Sequence, residues 1–519
     1  MPADINRSVP NTEISNVEPT LFFRELDKAS PTGRFRIRIS DDTMYFERAD
    51  DDAWTTATQI YPYARTGRGS ILTVAAADAP AQVKAQADYV CDGTADNIEI
   101  QAAMDALTTD RTWREEVKLF GHFYIAAELV VPDYTRLTGA GAMIEAATDS
   151  IAAIHCPDGA HSYDVEIDHI HFQGYATYNN RCIYPFHSSP WRYAYRWFIH
   201  DCYFEKWVWN CTAIFYHSSI HDNHMVLGAG QGGGIYLPAG KYDRLYSNYI
   251  SFMGDGASGI YIQDCTEVAC YANSLEQPTN TYKAYGITVD DSERIAIFGN
   301  NISGAGLAGV DIYSHGGSGS FSIGVVNNTF YLTGLGVDTP DACVSLGIRN
   351  DIAVNDILIA NNSAYYCHSL VDVGATGKNI ANSKIVVKDN TLDVGTVGFR
   401  LYGNNYDVTM KDNEFSNLSG SPVIETGTVR FRGNIGYVTE NSGTATIANG
   451  DTTVKVAHGL AVAPTRVQLT CTGWGNASKA SVTSKDSDSD GTKFTITVDA
   501  DPGASTATFD WRAIVTEGV

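Results

Sequence analysis

Apolar and polar positions in the middle of the chain repeat with a period far longer than a helix turn. A hexad, apolar-x-x-Asn-x-apolar, recurs as IHDNHM (Ile220–Met225), LYSNYI (Leu245–Ile250), CYANSL (Cys270–Leu275) and IFGNNI (Ile297–Ile302). It continues as VVNNTF (Val325–Phe330), IANNSA (Ile359–Ala364), VKDNTL (Val387–Leu392) and MKDNEF (Met410–Phe415). IHDCYF (Ile199–Phe204) is a first variant with Cys in the Asn slot, and FRGNIG (Phe431–Gly436) is a frayed last copy. The aligned column reads Cys202, Asn223, Asn248, Asn273, Asn300, Asn328, Asn362, Asn390, Asn413 and Asn434, in steps of 21 to 34 residues. Each step is expected to be one coil of a β-solenoid with loops of varying length inserted. Asn suits the column because it tolerates the left-handed conformation at a sharp corner and its amide can bond the next amide as a ladder. The apolar positions three before and two after each Asn are expected to point inward. No helical period appears within the repeat, which excludes leucine-rich and ankyrin arrays.

Each coil also carries an earlier short strand opened by Gly or Cys: GIYLP at Gly234, GIYIQ at Gly259, GITVD at Gly286, GVDIY at Gly309 and CVSLG at Cys343. Strands this short are unstable alone, so stacked neighbours must complete the core. The fold class is therefore all-β, a parallel β-helix.

Upstream, DYVCDGTADNIEIQAAMDAL (Asp88–Leu107) places Asp96 and Glu99 in a capping-box pattern, with Ile100, Met104 and Leu107 on one helical face. A capping helix is expected near 96–108. This stretch resembles the opening of pectate-lyase-like β-helix proteins and of many phage tailspikes. The resemblance covers about residues 70–436 and implies a right-handed parallel β-helix. Residues 437–519 lack the repeat and look like a small C-terminal β-sandwich, from TTVKVAHGLAVAPTRVQLT and FTITVDADPG. Residues 1–69 form a separate β unit, with a hairpin expected near Phe35–Ser40 and Met44–Arg48. Anchor, shaft and sandwich follow the order of a tailspike. That resemblance implies a homotrimer, attachment to virion tail or capsid proteins through the N-terminal unit, and a host-surface glycan as target.

Composition narrows the classes. The chain of 519 residues is 44% hydrophobic and 18% charged, with a net charge of −24. It is globular, and its surface repels nucleic acid and anionic membrane. No window approaches the ~18–20 apolar residues of a membrane span, so no membrane insertion is expected. The ten Cys show no zinc-like spacing and read as buried apolar residues. The first residues show no basic and apolar signal segment. The expectation is a protein made in a host cytoplasm and carried on the virion surface.

Candidate chemistry falls in four places. Tyr184–Asn210 is the densest aromatic patch, where Trp191, Tyr193, Tyr195 and Trp197 alternate as one strand face. That face suits either sugar stacking or packing against a neighbouring subunit. The outward slots of the Gly-opened strands hold Tyr236, Tyr261, Thr288 and Asp311, then Gln263, Asp290 and Tyr313, a composition fit for a glycan groove. Asp264 and Asp291 share one slot in successive coils, with Asp290 and His315 near. IQD, VDD, SHG and Arg349 resemble the polygalacturonase motifs in order, although Asn-Thr is missing and Asn350 follows the Arg. Catalysis there would use Asp264, Asp290, Asp291 and His315, one carboxyl having a raised pKa. His200 and His221 are in register, with Asp168 as the sole further ligand column, so an outward ladder is favoured over a metal. Lys388, Lys411 and Arg432 stack similarly, which implies solvent or an acidic partner. Asp486, Asp488 and Asp490 imitate half a calcium loop without its closing Glu. No cofactor is required, and calcium is the one ion the sequence brings up. The leading reading is a glycan-attaching spike. A glycan depolymerase and a capsid decoration or turret protein are the alternatives.

Overall fold

The computed structural model describes the backbone of residues 20–24, 34–40, 43–50 and 53–60. From 71 to 515 it describes all but 149–150, 158–160, 176–180, 186–192, 228–231, 253, 279–281, 316–318, 335–341, 348–353, 375–382, 403–405, 421–422, 426–428, 437–439, 461–462 and 486–491, with backbone alone at 383, 406, 424–425 and 430–432. Trp191, Arg349, Asp486, Asp488 and Asp490 lie outside the described residues.

The chain divides into units Met1–Arg68 and Gly69–Val519. The first is an antiparallel meander of Thr20–Arg24, Arg34–Ser40, Thr43–Asp50 and Ala53–Ile60. Its second and third strands form the expected hairpin, with Ile39 opposite Met44 and Arg36 opposite Glu47.

The second unit is built on a parallel β-helix with three stacked sheets. The first sheet runs through Phe198–His200, Ser219–His221, Arg244–Tyr246, Ala269–Tyr271 and Ala296–Phe298. The second runs through Tyr203–Glu205, His224–Val226, Tyr249–Ser251, Ser274–Glu276, Asn301–Ser303 and Thr329–Tyr331, then the front of Ser363–Val373 and of Thr391–Leu401. The third runs through Trp209–Thr212, Gly233–Pro238, Ser258–Gln263, Tyr285–Asp290, Ala308–Tyr313 and Ala342–Leu346. The inward columns expected from the hexads form one continuous core, including Ile199, Ile220, Leu245, Cys270, Ile297 and Val325.

Asparagine side chains join the coils. From Asn223 to Asn434 each Nδ2 donates to the next Oδ1 at 2.9–3.0 Å. Each Nδ2 also donates to the carbonyl of the apolar residue opening the preceding hexad, as Asn300 does to Cys270 at 3.0 Å. One expectation is corrected here. The left-handed residue is not the Asn but its predecessor: Asp201, Asp222, Ser247, Ala272, Gly299, Asn327, Asn361, Asp389, Asp412 and Gly433 have φ between 53° and 64°. The corner must turn before the Asn so that its amide can face inward. Another column has a different cause. A Cβ on Gly234, Gly259, Gly286 or Gly309 would come within 2.8 Å of a core side chain and of the next coil's backbone oxygen. Only Gly permits that approach.

The capping helix is Asn97–Asp105, with Ile100, Met104 and Leu107 buried. The capping box does not form. Asp96 instead accepts the N–H groups of Gly93 (2.9 Å) and Tyr124 (2.8 Å), tying the helix start to the first coils. The C-terminal segment packs two three-stranded antiparallel sheets around Phe494, Ile496, Phe509 and Trp511, a β-sandwich. Nine of the ten Cys are buried and all ten are free thiols. Among the described residues no helix is long and apolar enough to cross a membrane.

Candidate glycan groove and carboxylate cluster

On the third sheet Ile235, Leu237, Ile260, Ile262, Ile287 and Val289 face the core. The alternate positions therefore face out. Tyr236, Tyr261, Thr288 and Asp311 oppose one another in successive coils, as do Gln263, Asp290 and Tyr313. The rings of Tyr236 and Tyr261 stack at 5.1 Å with planes 21° apart. Trp209, from the end of the aromatic patch and not assigned to this groove by the sequence, joins them 5.2 Å from Tyr236. It can do so because Gly233 lies opposite it in the next coil, and a Cβ there would meet the indole at 2.2 Å. The three half-buried rings make a platform along the axis. Beyond its far end, Arg181 opposes Trp209 and stacks on Tyr184 at 4.3 Å.

At the other end the tyrosine hydroxyls meet polar partners. Tyr236 donates to Gln263 at 2.5 Å and Tyr261 to Asp290 at 3.0 Å, and the Tyr261 and Tyr313 hydroxyls lie 3.1 Å apart. Asp290 is 0% exposed, and its Oδ1 has no hydrogen-bond partner among the described residues. Burial, with the neighbouring Asp291 and Asp264 charges, pushes its carboxyl up to about 6, against the hydrogen bond from Tyr261. Asp264 and Asp291 follow their strands in the left-handed conformation (φ 51° and 44°). Burial and the Asp291 charge raise Asp264, which is itself exposed. Asp291 accepts the Ser314 hydroxyl and the His315 N–H (3.2 Å). The exposed His315 ring brings Nδ1 to 3.8 Å from Asp290. The four residues expected to form a catalytic group are thus neighbours.

Three expected sugar contacts are corrected. Asp311 is 0% and Tyr313 2% exposed, so neither lines an open groove. Asp311 is held instead by the Ser345 hydroxyl at 2.8 Å. Trp197 is a core residue whose indole N–H donates to Ser162 at 3.2 Å. The expected alternation breaks at Arg196, whose φ of 54° turns the chain and sends Trp197 inward. Tyr193 and Tyr195 remain partly exposed in a separate cluster, Tyr195 stacked on Tyr163 at 5.0 Å and Tyr193 on His161 at 5.0 Å.

The histidine column is an outward ladder, with His200 and His221 stacked at 4.9 Å. Glu166, Asp168 and His200 bring ligand-type atoms within 4.8 Å of one another. The Asp168 oxygens are already taken by Arg136 (2.7 and 3.1 Å), Thr138 (2.5 Å) and His169 (2.6 Å). A guanidinium occupies the place a cation would need. Lys388 and Lys411 do not stand unpaired, since each reaches the Asp that follows it, at 3.6 and 3.1 Å. That local pairing removes the argument for an acidic partner surface there.

A family described as "right handed beta helix region" matches residues 165–330. The shaft is a right-handed parallel β-helix. No curated protein matches the sequence. Among solved structures, the tailspike gp61 of Pseudomonas phage phi297 is 12% identical over 80% of this chain and 92% of that one, with a TM-score of 0.48. The surface adhesin PfbA of Streptococcus pneumoniae is 11% identical over 65% and 96%, with a TM-score of 0.48. The catalytic unit of an alpha-1,3-glucanase from Streptomyces thermodiastaticus is 16% identical over 66% of each chain, with a TM-score of 0.47.

Proposed function

We propose that this chain is a virion surface spike, a homotrimer held to the particle by its N-terminal unit, that attaches to a host-surface glycan. The observation that carries the reading is the half-buried cluster of Trp209, Tyr236 and Tyr261, the two tyrosines stacked at 5.1 Å and Trp209 tilted against Tyr236 at 5.2 Å, with the tyrosine hydroxyls bonded to Gln263 and Asp290. Rings take the apolar face of a sugar, and the half-buried Gln263 and the tyrosine hydroxyls at their edge take its hydroxyls.

Cleavage of the same glycan is the second reading, and the carboxyl group of Asp290 favours it. A group held at about 6 is half protonated there, far above the ordinary carboxylate range, and that protonated fraction can donate to a glycosidic oxygen. An ionised Asp264 or Asp291 would then act as base on the water that adds across the broken bond. Attachment ranks first because Asp290, the proton donor this requires, is sealed from solvent.

A glycan array probed with the full chain tests attachment. Tyr236→Ala and Tyr261→Ala are each expected to weaken the wild-type hit about tenfold in chains that still unfold cooperatively, Tyr261→Ala at a lower midpoint because buried Asp290 loses its donor. Unchanged binding in both would overturn the groove. New reducing ends released from the bound glycan by the wild type, and lost in Asp291→Asn, would establish cleavage.

A further inference from the structure

A second aromatic surface lies on the second sheet, outside the groove. Tyr331, Tyr365 and Tyr366 are 41%, 40% and 42% exposed, and among the described residues they are the three large exposed rings that touch one another. Tyr331 and Tyr365 oppose each other in successive coils, with rings 6.1 Å apart and planes within 11°. Tyr366 stands edge-on to Tyr365 at 4.4 Å and 73°. It reaches that position because its φ is 54°, a conformation bulky residues rarely adopt. Leu332, Val394 and Asn417 take the same conformation at the same slot of the neighbouring coils (φ 52°, 57° and 51°), so the turn belongs to the coil and Tyr366 is the residue that places a ring there.

The row does not end in water. Asp393 opposes Tyr365 in the next coil. Its carboxylate accepts Ser416 Oγ at 2.8 Å and Asn417 Nδ2 at 2.7 Å, bonds that hold it below the usual carboxylate range. The side chain is thus a fixed, ionised acceptor one coil beyond the exposed tyrosines.

The geometry points to a second carbohydrate site here, distinct from the Trp209–Tyr261 groove, that takes an uncharged oligosaccharide laid along the helix axis. Tyr331 and Tyr365 receive the C–H faces of two sugars, Tyr366 walls one side, and Asp393 accepts hydroxyl donors. Charge decides against acidic glycans. The acceptor is anionic, the chain carries −24, and a uronate on this row would face Asp393.

The test uses the full chain on an array of uncharged glucan, mannan and galactan hexasaccharides, with oligogalacturonate as the acidic control. A neutral-glycan signal is expected to fall about tenfold in Tyr365→Ala and in Tyr366→Gly and to persist in Tyr236→Ala. Tyr366→Gly relieves the positive φ and is expected to raise the thermal midpoint, so its loss of binding is not loss of fold. The second site is overturned if no neutral glycan binds, or if the signal survives both substitutions. A signal lost only in Tyr236→Ala belongs to the groove, which overturns the second site and leaves the attachment reading standing. A fall in mass by light scattering in Tyr365→Ala, with glycan binding intact, would make another copy of the chain the occupant and overturn it equally.

Discussion

Asp290 shows how one outward slot can be polar in sequence and sealed in structure. Its carboxyl is pushed up to about 6, chiefly by burial, from an ordinary value of 3.8. The folded state therefore binds more protons than the unfolded state between about pH 4 and pH 6. The stabilising contribution is complete below about pH 4, falls as pH rises through the window, and is absent above it. A shift of two units corresponds to about 3 kcal/mol. Asp372 titrates in the same direction, raised to about 6 by burial against the pull of Arg400, so wild type alone cannot isolate Asp290. Asp290→Asn can. Its thermal midpoint is expected to exceed that of wild type at pH 7.5 and to approach it at pH 4. Parallel curves at the two pH values would refute a protonated Asp290. At this scale the sequence was legible wherever strand alternation held, which put Tyr236, Tyr261 and Asp290 in the right columns. It misled at Trp197, because nothing about Arg196 as a residue type announces a left-handed turn. It misled at Asp311 and Tyr313, because an outward slot is sealed by what lies over the sheet, which a strand's own pattern does not record.

The coil is the element, and the asparagine column is what makes coils cooperate. Asn300 receives the N–H and Nδ2 of Asn273 (3.0 and 2.9 Å) and donates to Cys270 (3.0 Å) and Asn328 (2.9 Å). Asn300→Leu removes these bonds and the one to the Phe298 carbonyl (3.3 Å), and leaves buried donors and acceptors without partners. Each such group costs about 1–3 kcal/mol, so a loss of about 3 kcal/mol or more is expected in chemical or thermal unfolding. Unchanged unfolding would mean that the ladder contributes nothing to stability. The repeat was legible because a single residue type marks it in every coil from Asn223 on. The neighbouring left-handed slot was not, since Asp, Ser, Ala, Gly and Asn all fill it and the Asn beside it has the same tolerance. Trp209 lies in the aromatic patch, but its place beside Tyr236 was not legible for a related reason: its strand lacks the opening Gly that marks the later ones. The helix start shows the same limit. Asp96 and Glu99 have capping-box spacing, yet the Asp96 carboxylate serves Gly93 and Tyr124, a demand set by the first coils rather than by the helix.

For the whole molecule the first sheet supplies the argument for assembly. His200, His221, Tyr246, Tyr271 and Phe298 form an unbroken outward stack, with ring centroids 4.5–5.0 Å apart and planes within 8°. Ala269 and Ala296 lie two positions before Tyr271 and Phe298 on the same face, so the strip is apolar at that end, whereas His200 and His221 pair with Asp201 and Asp222 at the other. A solitary rod would leave it half in water, whereas parallel copies would cover it. Under the proposed spike the number of copies is three. Light scattering at micromolar concentration is expected to give three times the 56.3 kDa chain mass, and a stable monomer would defeat the proposal. The charge supplies a further constraint. Each copy carries −24, so bringing copies together is opposed electrostatically while the ring strip favours it. Added salt screens the first effect and leaves the second. Association is therefore expected to tighten between 0.05 and 0.5 M salt, values chosen so that the screening length falls from more than about 10 Å to well below it. Tyr271→Glu should weaken it at every concentration. Assembly that loosened with salt and ignored Tyr271→Glu would place the contact on charged pairs elsewhere, not on this sheet.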